Sequence, residues 1–240
     1  MKMKTAQTCT KLWAIIPAAG SGRRFSQTEL KQYQNILDQT VLEHSVARLN
    51  QLPLAGYVLA ISPEDQLAQK LPLAFPDKAH FCSGGAERVD SVFNALKYLE
   101  AFAADDDYVL VHDAARPCIL LKSLQDLVEK AKQHNSSAIL ATPVRDTLKR
   151  VVDQNQIKTT VSREALWQAQ TPQIAKFSVL KAAIEHALAA GINITDEASA
   201  LEFSQQPVIV VHGRSDNIKI TYPEDLQLAE LILTAQQLAN

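Results

Sequence analysis

Short apolar runs alternate along the chain with segments that are apolar on one side only. The run Tyr108-Val109-Leu110-Val111 has no polar alternation, which is typical of a strand covered on both faces. Similar runs predict strands at Leu12–Pro17, Tyr57–Ile61, Ala79–Cys82, Tyr108–His112, Ala138–Ala141 and Val208–His212.

Helix signals lie between these runs. One apolar stripe at helical spacing is formed by Val89, Val92, Phe93 and Leu96. Capping and proline signals predict helix starts at Thr40 to Glu43, Ser62 to Pro63, and Thr221 to Glu224. Repeated strand–helix units predict an α/β fold, a mostly parallel sheet with helices on both faces. Ligands of such sheets bind beyond the carboxyl ends of the strands.

One region breaks this alternation. The segment 144–171 is strand-like but polar, and Thr147–Val161 within it predicts a β-hairpin. An isolated two-stranded hairpin is only marginally stable in water, so we expect this one to pack on a second subunit. We therefore predict one domain over residues 1–240, with a protruding β-arm at 144–171 and a flexible segment at 1–11.

The loop after the first predicted strand is small and cationic. Residues 18–22 are followed by Arg23, Arg24 and Lys31. Small side chains let main-chain N–H groups approach an anion that the cations neutralise, so this loop favours a polyphosphate. It lacks a Walker motif, and Phe25 stands where a dinucleotide fingerprint needs its third glycine, which disfavours a nicotinamide oxidoreductase. An ordinary strand–helix turn with solvated arginines is the alternative.

Composition removes several classes of function. With 240 residues and 47% hydrophobic positions, the chain can bury a large core. A net charge of -2 disfavours nucleic-acid binding, and no apolar run is long enough for a membrane span. The cysteines Cys9, Cys82 and Cys118 have no paired or metal-type spacing, so we expect a reducing, cytoplasmic location.

Acidic and glycine residues follow two of the predicted strands. Asp113 lies at the edge where ligands bind, and we predict it as a ligand of Mg²⁺, although it could instead cap the next turn. His112 beside it is a ligand or a packing residue. The Gly84-Gly85 pair lets a flat base approach the backbone, and Ser91 lies one turn into the following helix.

Two further positions allow two interpretations each. Lys219 alternates with apolar neighbours and is either a surface edge residue or a phosphate clamp. Thr195 first indicates a helix start. Because helix N-termini bind anions, a phosphate or hydroxyl contact is its second interpretation.

Eight motifs occur in order across nearly the whole chain. They are PAAGSGRR…LKQY, ILDQTVLEHS, SGGAERVDSV, VHDAARP, ATPVRDTLKR, QTPQ, TDEASALE and RSDNIKIT. Together they closely resemble the 2-C-methyl-D-erythritol 4-phosphate cytidylyltransferases of non-mevalonate isoprenoid biosynthesis. The resemblance implies CMP transfer from CTP to that polyol phosphate, with Mg²⁺, a Rossmann-like nucleotidyltransferase fold, and a homodimer that exchanges its arms.

The resemblance also implies residue roles. Arg24 and Lys31 match the pair that stabilises charge on the α-phosphate, and Arg163 and Lys219 match residues that position the polyol phosphate. Thr147 would meet the same phosphate, so it and Arg163 would act in the neighbouring subunit's site. Asp113 matches the position at the metal and substrate, further substrate contacts match Arg116, Thr171 and Thr195, and nucleotide contacts match Ala18, Ala19, Gly20, Gly85 and Ser91.

Two residues depart from the family pattern. Leu30 stands where proline is frequent, which would make the Lys31 loop less rigid. Ala86 stands at the base-reading turn, where the family often has Asp or Ser, which bears on the selectivity for cytosine. A second metal site, for example at Asp216, stays open.

Two rival functions are weighed against this activity. A ribitol 5-phosphate cytidylyltransferase shares the loop and the motif around Asp113, and it is distinguished by testing both sugar phosphates. A non-catalytic nucleotide-sensing domain would lack the reaction cations, which this chain has.

Overall fold

The structure, a computed structural model, describes residues 10–20, 22, 24–26 and 29–238. Its strands are β1 (Leu12–Pro17), β2 (Asn35–Ile36), β3 (Gln39–Thr40), β4 (Gly56–Ile61), β5 (Ala79–Ser83), β6 (Tyr108–Val111), β7 (Ser137–Pro143), β8 (Leu148–Val151), β9 (Ile157–Val161), β10 (Trp167–Lys176) and β11 (Val208–His212). Its helices are α1 (Val41–Leu49), α2 (Arg88–Leu99), α3 (Leu121–His134), α4 (Phe177–Ala189), α5 (Glu197–Phe203) and α6 (Asp225–Leu238). The expectation for residues 1–11 lies outside the described residues, apart from Thr10 and Lys11.

Seven strands form one sheet in the order β11-β7-β10-β6-β1-β4-β5. All run parallel except β10, which lies antiparallel between β6 and β7. The first strand, β1, has β4 on one side and β6 on the other, so the order of winding reverses there. The carboxyl ends of strands at such a point are the usual ligand site of α/β sheets.

The two faces of the sheet bury two apolar clusters. Ala14 and Ile16 of β1 join a cluster with α1 and α3, whereas Trp13 and Ile15 join one with α2 and α4. Successive strand residues point to opposite faces, which explains why β1 is apolar at nearly every position. A third cluster packs α6 against Phe25 and other loop residues, and so holds the loops at the carboxyl ends.

The predicted fold class and strands are confirmed, with strand ends that differ by one or two residues. The capping box of α1 is present, because Thr40 Oγ1 accepts from the Glu43 amide and Glu43 Oε2 accepts from the Thr40 amide. The helix predicted from Ser62–Pro63 is wrong. Asp65 Oδ1 accepts from the Leu67 amide at 2.8 Å, and this local bond closes a turn instead.

The sequence patterns did not predict β10. Its register shifts between Gln170 and Gln173, and both glutamines are buried although they are polar. Gln170 Nε2 donates to the Arg214 carbonyl at 2.8 Å, and Gln173 Oε1 accepts from the Ala198 amide at 2.8 Å. These long-range partners make the polar strand β10 stable inside the sheet. No apolar run in the sequence marks its position.

The strands β8 and β9 form a hairpin that, within the described chain, pairs only with itself. The predicted hairpin is therefore confirmed, while the end of the 144–171 segment, from Trp167 onward, belongs to β10. The arm exposes more apolar surface than its polar sequence suggested. More than a third of each side chain is exposed at Val151, Val152, Ile157, Leu166 and Trp167.

No helix within residues 10–20, 22, 24–26 and 29–238 combines the length and the apolar character needed to cross a membrane.

Candidate active site

A cleft of about 460 Å³ opens beyond the carboxyl ends of β1, β5 and β6. Its walls are the loop after β1, the turn before α2, the residues after β6 and the segment before α6. Its described lining is Pro17, Ala18, Ala19, Gly20, Gly22, Arg24, Lys31, Gln32, Gly85, Ala86, Glu87, Arg88, Ser91, Asp113, Ala114, Ala115, Lys219 and Thr221. Most of the predicted site residues therefore meet in one cavity.

The segment after β1 is fixed by three hydrogen bonds. The Ala18 amide donates to the Ala60 carbonyl at 2.8 Å, and Gln32 Nε2 donates to the Ala18 carbonyl at 2.9 Å. Lys31 Nζ donates to the Ile220 carbonyl at 2.7 Å, which holds the ammonium at the cleft wall. Arg24 lines the cleft from an exposed position, whereas Arg23 lies outside the described residues.

The turn before α2 touches the β1 loop. A Cβ at Gly84 would lie 2.3 Å from the Ala19 Cβ, so only glycine permits this approach. The Gly85 amide donates to Ser91 Oγ at 3.0 Å, which ties the turn to its own helix. The two glycines and Ser91 thus shape the wall that the sequence assigned to the base.

Asp113 is the centre of the charge arrangement. Its carboxylate is 7% exposed and lies at the end of β6. Arg88 Nε is 2.9 Å from Oδ1, while Lys219 Nζ is 2.7 Å and Arg116 Nε 3.7 Å from Oδ2. The Asp113 amide donates to Thr171 Oγ1 at 3.0 Å, so the main chain is held as well.

These charges shift the pKa values of the groups. Burial alone would raise the pKa of Asp113, but Arg88, Lys219 and Arg116 outweigh it and hold that pKa well below its usual range. Burial lowers the pKa of Lys31 to about 8, and the charge of Lys219 adds to this. An anion that binds beside Lys31 would favour its charged ammonium form.

His112 lies behind this centre. Burial lowers its pKa to about 4, so the ring is neutral at pH 7. Its Nε2 lies 3.0 Å from the Arg116 carbonyl and its Nδ1 lies 3.2 Å from Thr171 Oγ1. Both ring nitrogens thus have protein partners, which favours the packing interpretation.

Sequence reasoning missed Arg88 and Glu197. Arg88 Nη1 and Nη2 donate to the two carboxylate oxygens of Glu197 at 2.7 and 3.0 Å. Both residues lie within the quoted motifs, and the position of Arg88 could have indicated that it has an acidic partner. Arg88 opens α2, where the helix dipole disfavours a cation, so a partner was to be expected.

Several predicted residues lie outside the cleft wall. Thr171 is buried and supports Asp113 from behind, and Arg116 Nη1 donates to the Asn217 carbonyl at 2.7 Å. Thr195 is exposed, just before α5.

Thr147 and Arg163 lie on the arm, and neither lines the cleft of its own chain. Arg163 Nη1 instead donates to the Arg145 carbonyl.

The donor set available for a metal is small. Within the described residues no three His, Cys, Asp or Glu side chains form a metal-binding group. Asp216 is engaged by Arg214, with Nη2 at 2.7 Å from Oδ2. Asp113 is thus the buried carboxylate of the cleft, and one carboxylate beside phosphate oxygens is a usual protein contribution to Mg²⁺.

Comparison with known proteins agrees with this geometry. The family model of 2-C-methyl-D-erythritol 4-phosphate cytidylyltransferase matches residues 12–235. The protein of that name from Acinetobacter baylyi is 66% identical over 227 residues, covering 95% of each chain. The one from Vibrio vulnificus is 46% identical over 233 residues, covering 97% of this chain and 98% of its own.

Solved structures agree with the sequence relatives. A crystal structure of 4-diphosphocytidyl-2C-methyl-D-erythritol synthase superposes with a TM-score of 0.82 at 38% identity, covering 94% of this chain and 99% of its own. The Francisella tularensis 2-C-methyl-D-erythritol 4-phosphate cytidylyltransferase gives 0.79 at 35% identity, covering 93% and 100%. The chain belongs to the 2-C-methyl-D-erythritol 4-phosphate cytidylyltransferase family.

Proposed function

We propose that the cleft around Asp113 is where this cytidylyltransferase brings its two anionic substrates together. As a member of the family, the chain transfers CMP from CTP to 2-C-methyl-D-erythritol 4-phosphate, giving 4-diphosphocytidyl-2-C-methyl-D-erythritol and pyrophosphate. The observation that carries the assignment of the site is the group of cations held around one buried carboxylate at the carboxyl ends of β1 and β6.

The chemistry needs positioning and charge neutralisation more than a protein nucleophile. A phosphate oxygen of the polyol attacks the α-phosphorus of CTP in line, the bond to the β-phosphate bridging oxygen breaks, and pyrophosphate leaves. Lys31 and Arg24, on the β1 side, would stabilise charge that grows on the α-phosphate. Lys219, whose neighbour Ile220 accepts from Lys31, would hold the incoming phosphate.

The residues of the cleft fit a Mg²⁺ ion that is bound jointly by the protein and the triphosphate. Asp113 would supply one carboxylate oxygen, and the triphosphate would supply others, as is usual for this ion. When bound, the ion would neutralise charge on the phosphate oxygens. The residues of the chain orient the α-phosphorus and the attacking phosphate against each other.

Two features of the arm support a homodimer. Within the described residues the β8–β9 hairpin pairs with no strand of the seven-stranded sheet, and it carries exposed Val151 and Ile157, with exposed Trp167 where the arm enters β10. Thr147 and Arg163 lie on it, so an arm laid on a second chain would carry both toward that chain's cleft. We further infer a cytoplasmic enzyme, for which the free thiols of Cys82 and Cys118 are suited.

A pyrophosphate-release assay with a panel of polyol phosphates tests the function. With CTP and Mg²⁺, 2-C-methyl-D-erythritol 4-phosphate is expected to give rapid release and ribitol 5-phosphate little. Excess chelator should abolish the release. Equal rates with both polyols, or full activity in chelator, would contradict the assigned substrate or the metal requirement respectively.

Removal of Lys31 and removal of Lys219 should change different steady-state kinetic constants. Lys31→Ala should lower kcat by on the order of 10²–10³, because its contact strengthens as charge grows on the α-phosphate. Lys219→Ala should raise KM for the polyol phosphate and leave KM for CTP nearly unchanged. If Lys219→Ala weakened only the binding of CTP and Lys31→Ala only that of the polyol phosphate, the roles of the two lysines would be assigned backwards.

CTP binding should take up a proton above pH 8. The pKa of Lys31 is lowered to about 8, so in the enzyme without nucleotide this side chain is mostly neutral at pH 9. A bound triphosphate favours the charged form, so a proton is taken up on binding. Affinity for CTP should therefore fall as the pH rises above 8 and stay level below it.

Calorimetric titrations of Mg²⁺ and CTP at pH 9, in buffers of different ionisation enthalpy, measure this uptake. It should disappear at pH 6.5, where Lys31 is already charged, and in Lys31→Met at either pH. Uptake that persists unchanged in Lys31→Met would show that another group takes the proton.

Mixed dimers test the exchange of arms. Chains carrying Arg163→Ala and chains carrying Lys31→Ala should each be inactive alone. After subunit exchange, mixtures should recover part of the activity, because one site of each mixed dimer keeps both residues. A mixture of Arg163→Ala with Arg163→Ala,Lys31→Ala chains is the matched control and should stay inactive. Mixtures that stay inactive after proven exchange would place Arg163 outside the partner's site.

A further inference from the structure

One guanidinium joins two buried carboxylates from different elements. Arg88, the first residue of α2, donates through Nε to Asp113 at 2.9 Å and through Nη1 and Nη2 to Glu197 at 2.7 and 3.0 Å. Asp113 follows β6, and Glu197 is the first residue of α5. Three N–H groups on two edges of the guanidinium thus fix three segments of the chain together.

The arrangement is not explained by the needs of the helices. A cation at the start of α2 opposes the helix dipole, so Arg88 does not serve its own helix. Glu197 is favoured at the start of α5 by the dipole, but it is only 3% exposed, and a buried carboxylate needs a charged partner. Asp196 already caps α5 by accepting from the Ser199 amide at 3.0 Å. The buried charge of Glu197 therefore acts mainly to hold the Arg88 guanidinium in place.

We propose that Glu197 is a positioning residue for the polyol-phosphate half of the site, a role that rests on the proposed function of the cleft. Through Arg88 it fixes the Asp113 carboxylate, whose other oxygen holds Lys219 at 2.7 Å. The same ion pair anchors the start of α5, two residues after Thr195. Lys219 is the residue of this chain's own cleft assigned to the polyol phosphate, and Thr195 is assigned to a further substrate contact.

The nucleotide half is held by a separate set of bonds. Ser91 Oγ accepts from the Gly85 amide, and Gln32 Nε2 donates to the Ala18 carbonyl. Lys31 is tied to the Ile220 carbonyl. None of these contacts includes Arg88 or Glu197. Loss of the Glu197 charge should therefore disturb the polyol phosphate more than CTP, which is linked to this network only through Asp113.

Kinetics of Glu197→Gln test this separation. The variant keeps the shape of the side chain and removes its charge, so the Arg88–Asp113–Lys219 arrangement loses its anchor. We expect a higher KM for 2-C-methyl-D-erythritol 4-phosphate and a kcat lower by about 10²-fold, since small misplacements have effects of that order. KM for CTP should rise much less than KM for the polyol phosphate, because the direct bonds of the nucleotide half are intact.

Two further variants distinguish positioning from general stability. Glu197→Asp retains the charge and should recover part of the lost kcat. Glu43→Gln is the matched control: this glutamate is also buried, 7% exposed, in the first turn of a helix, and its carboxylate binds Thr40 instead of a cation near the cleft. It should lower the melting temperature without changing either KM.

The outcomes separate the two levels of the proposal. If the unaltered enzyme releases no pyrophosphate from CTP and the polyol phosphate, the proposed function of the cleft is wrong. If it does so and Glu197→Gln has unchanged kcat and KM, or raises both KM values equally, Glu197 is not a positioning residue of this half. Should Glu197→Gln not fold, Arg88→Lys gives the same test, because lysine keeps the charge and loses the two-edged geometry.

Discussion

The buried carboxylate of Asp113 is the interaction on which the site depends. The cations gathered around the cleft repel one another, and in a partly buried site such repulsion is about 4 kcal/mol for two charges 4 Å apart. Asp113 offsets it by contacting Arg88 and Lys219 and by lying near Arg116. The cations in turn make the buried carboxylate stable, so neither side of the arrangement is stable without the other.

The sheet explains why this carboxylate lies where it does. Winding reverses at β1, and the loops after β1 and β6 therefore separate and leave a cleft between them. The antiparallel strand β10 lies beside β6, and the irregularity in its register brings Thr171 Oγ1 against the Asp113 amide. The same strand continues outward into the arm. The strand that supports the Asp113 main chain is thus continuous with the arm that carries Thr147 and Arg163, the residues proposed for the neighbouring site.

Local patterns predicted what local physics determines. Apolar runs located the parallel strands because those strands are buried on both faces, and the loop after β1 was identified by its small residues and cations. The pair of Arg88 and Glu197 could not be predicted in this way, since 109 residues separate them and only the folded sheet brings them together. For the same reason β10 was missed, because its buried glutamines find distant partners that no periodicity encodes.

Three cations in or behind the cleft have acceptors within the chain itself. Lys31 donates to the Ile220 carbonyl, Arg116 to the Asn217 carbonyl, and Lys219 to Asp113. A carbonyl is a neutral acceptor, and a phosphate oxygen that replaces it makes a charge-assisted bond of roughly twice the strength. Lys219 differs, because it must leave a carboxylate, and this exchange gains less unless another cation takes its place on Asp113. In the proposed assignment, the nucleotide would be bound by a cation that loses little, while the polyol phosphate would depend on how charge is redistributed around Asp113. That asymmetry follows because Lys31 is paired with a neutral carbonyl and Lys219 with a charged carboxylate.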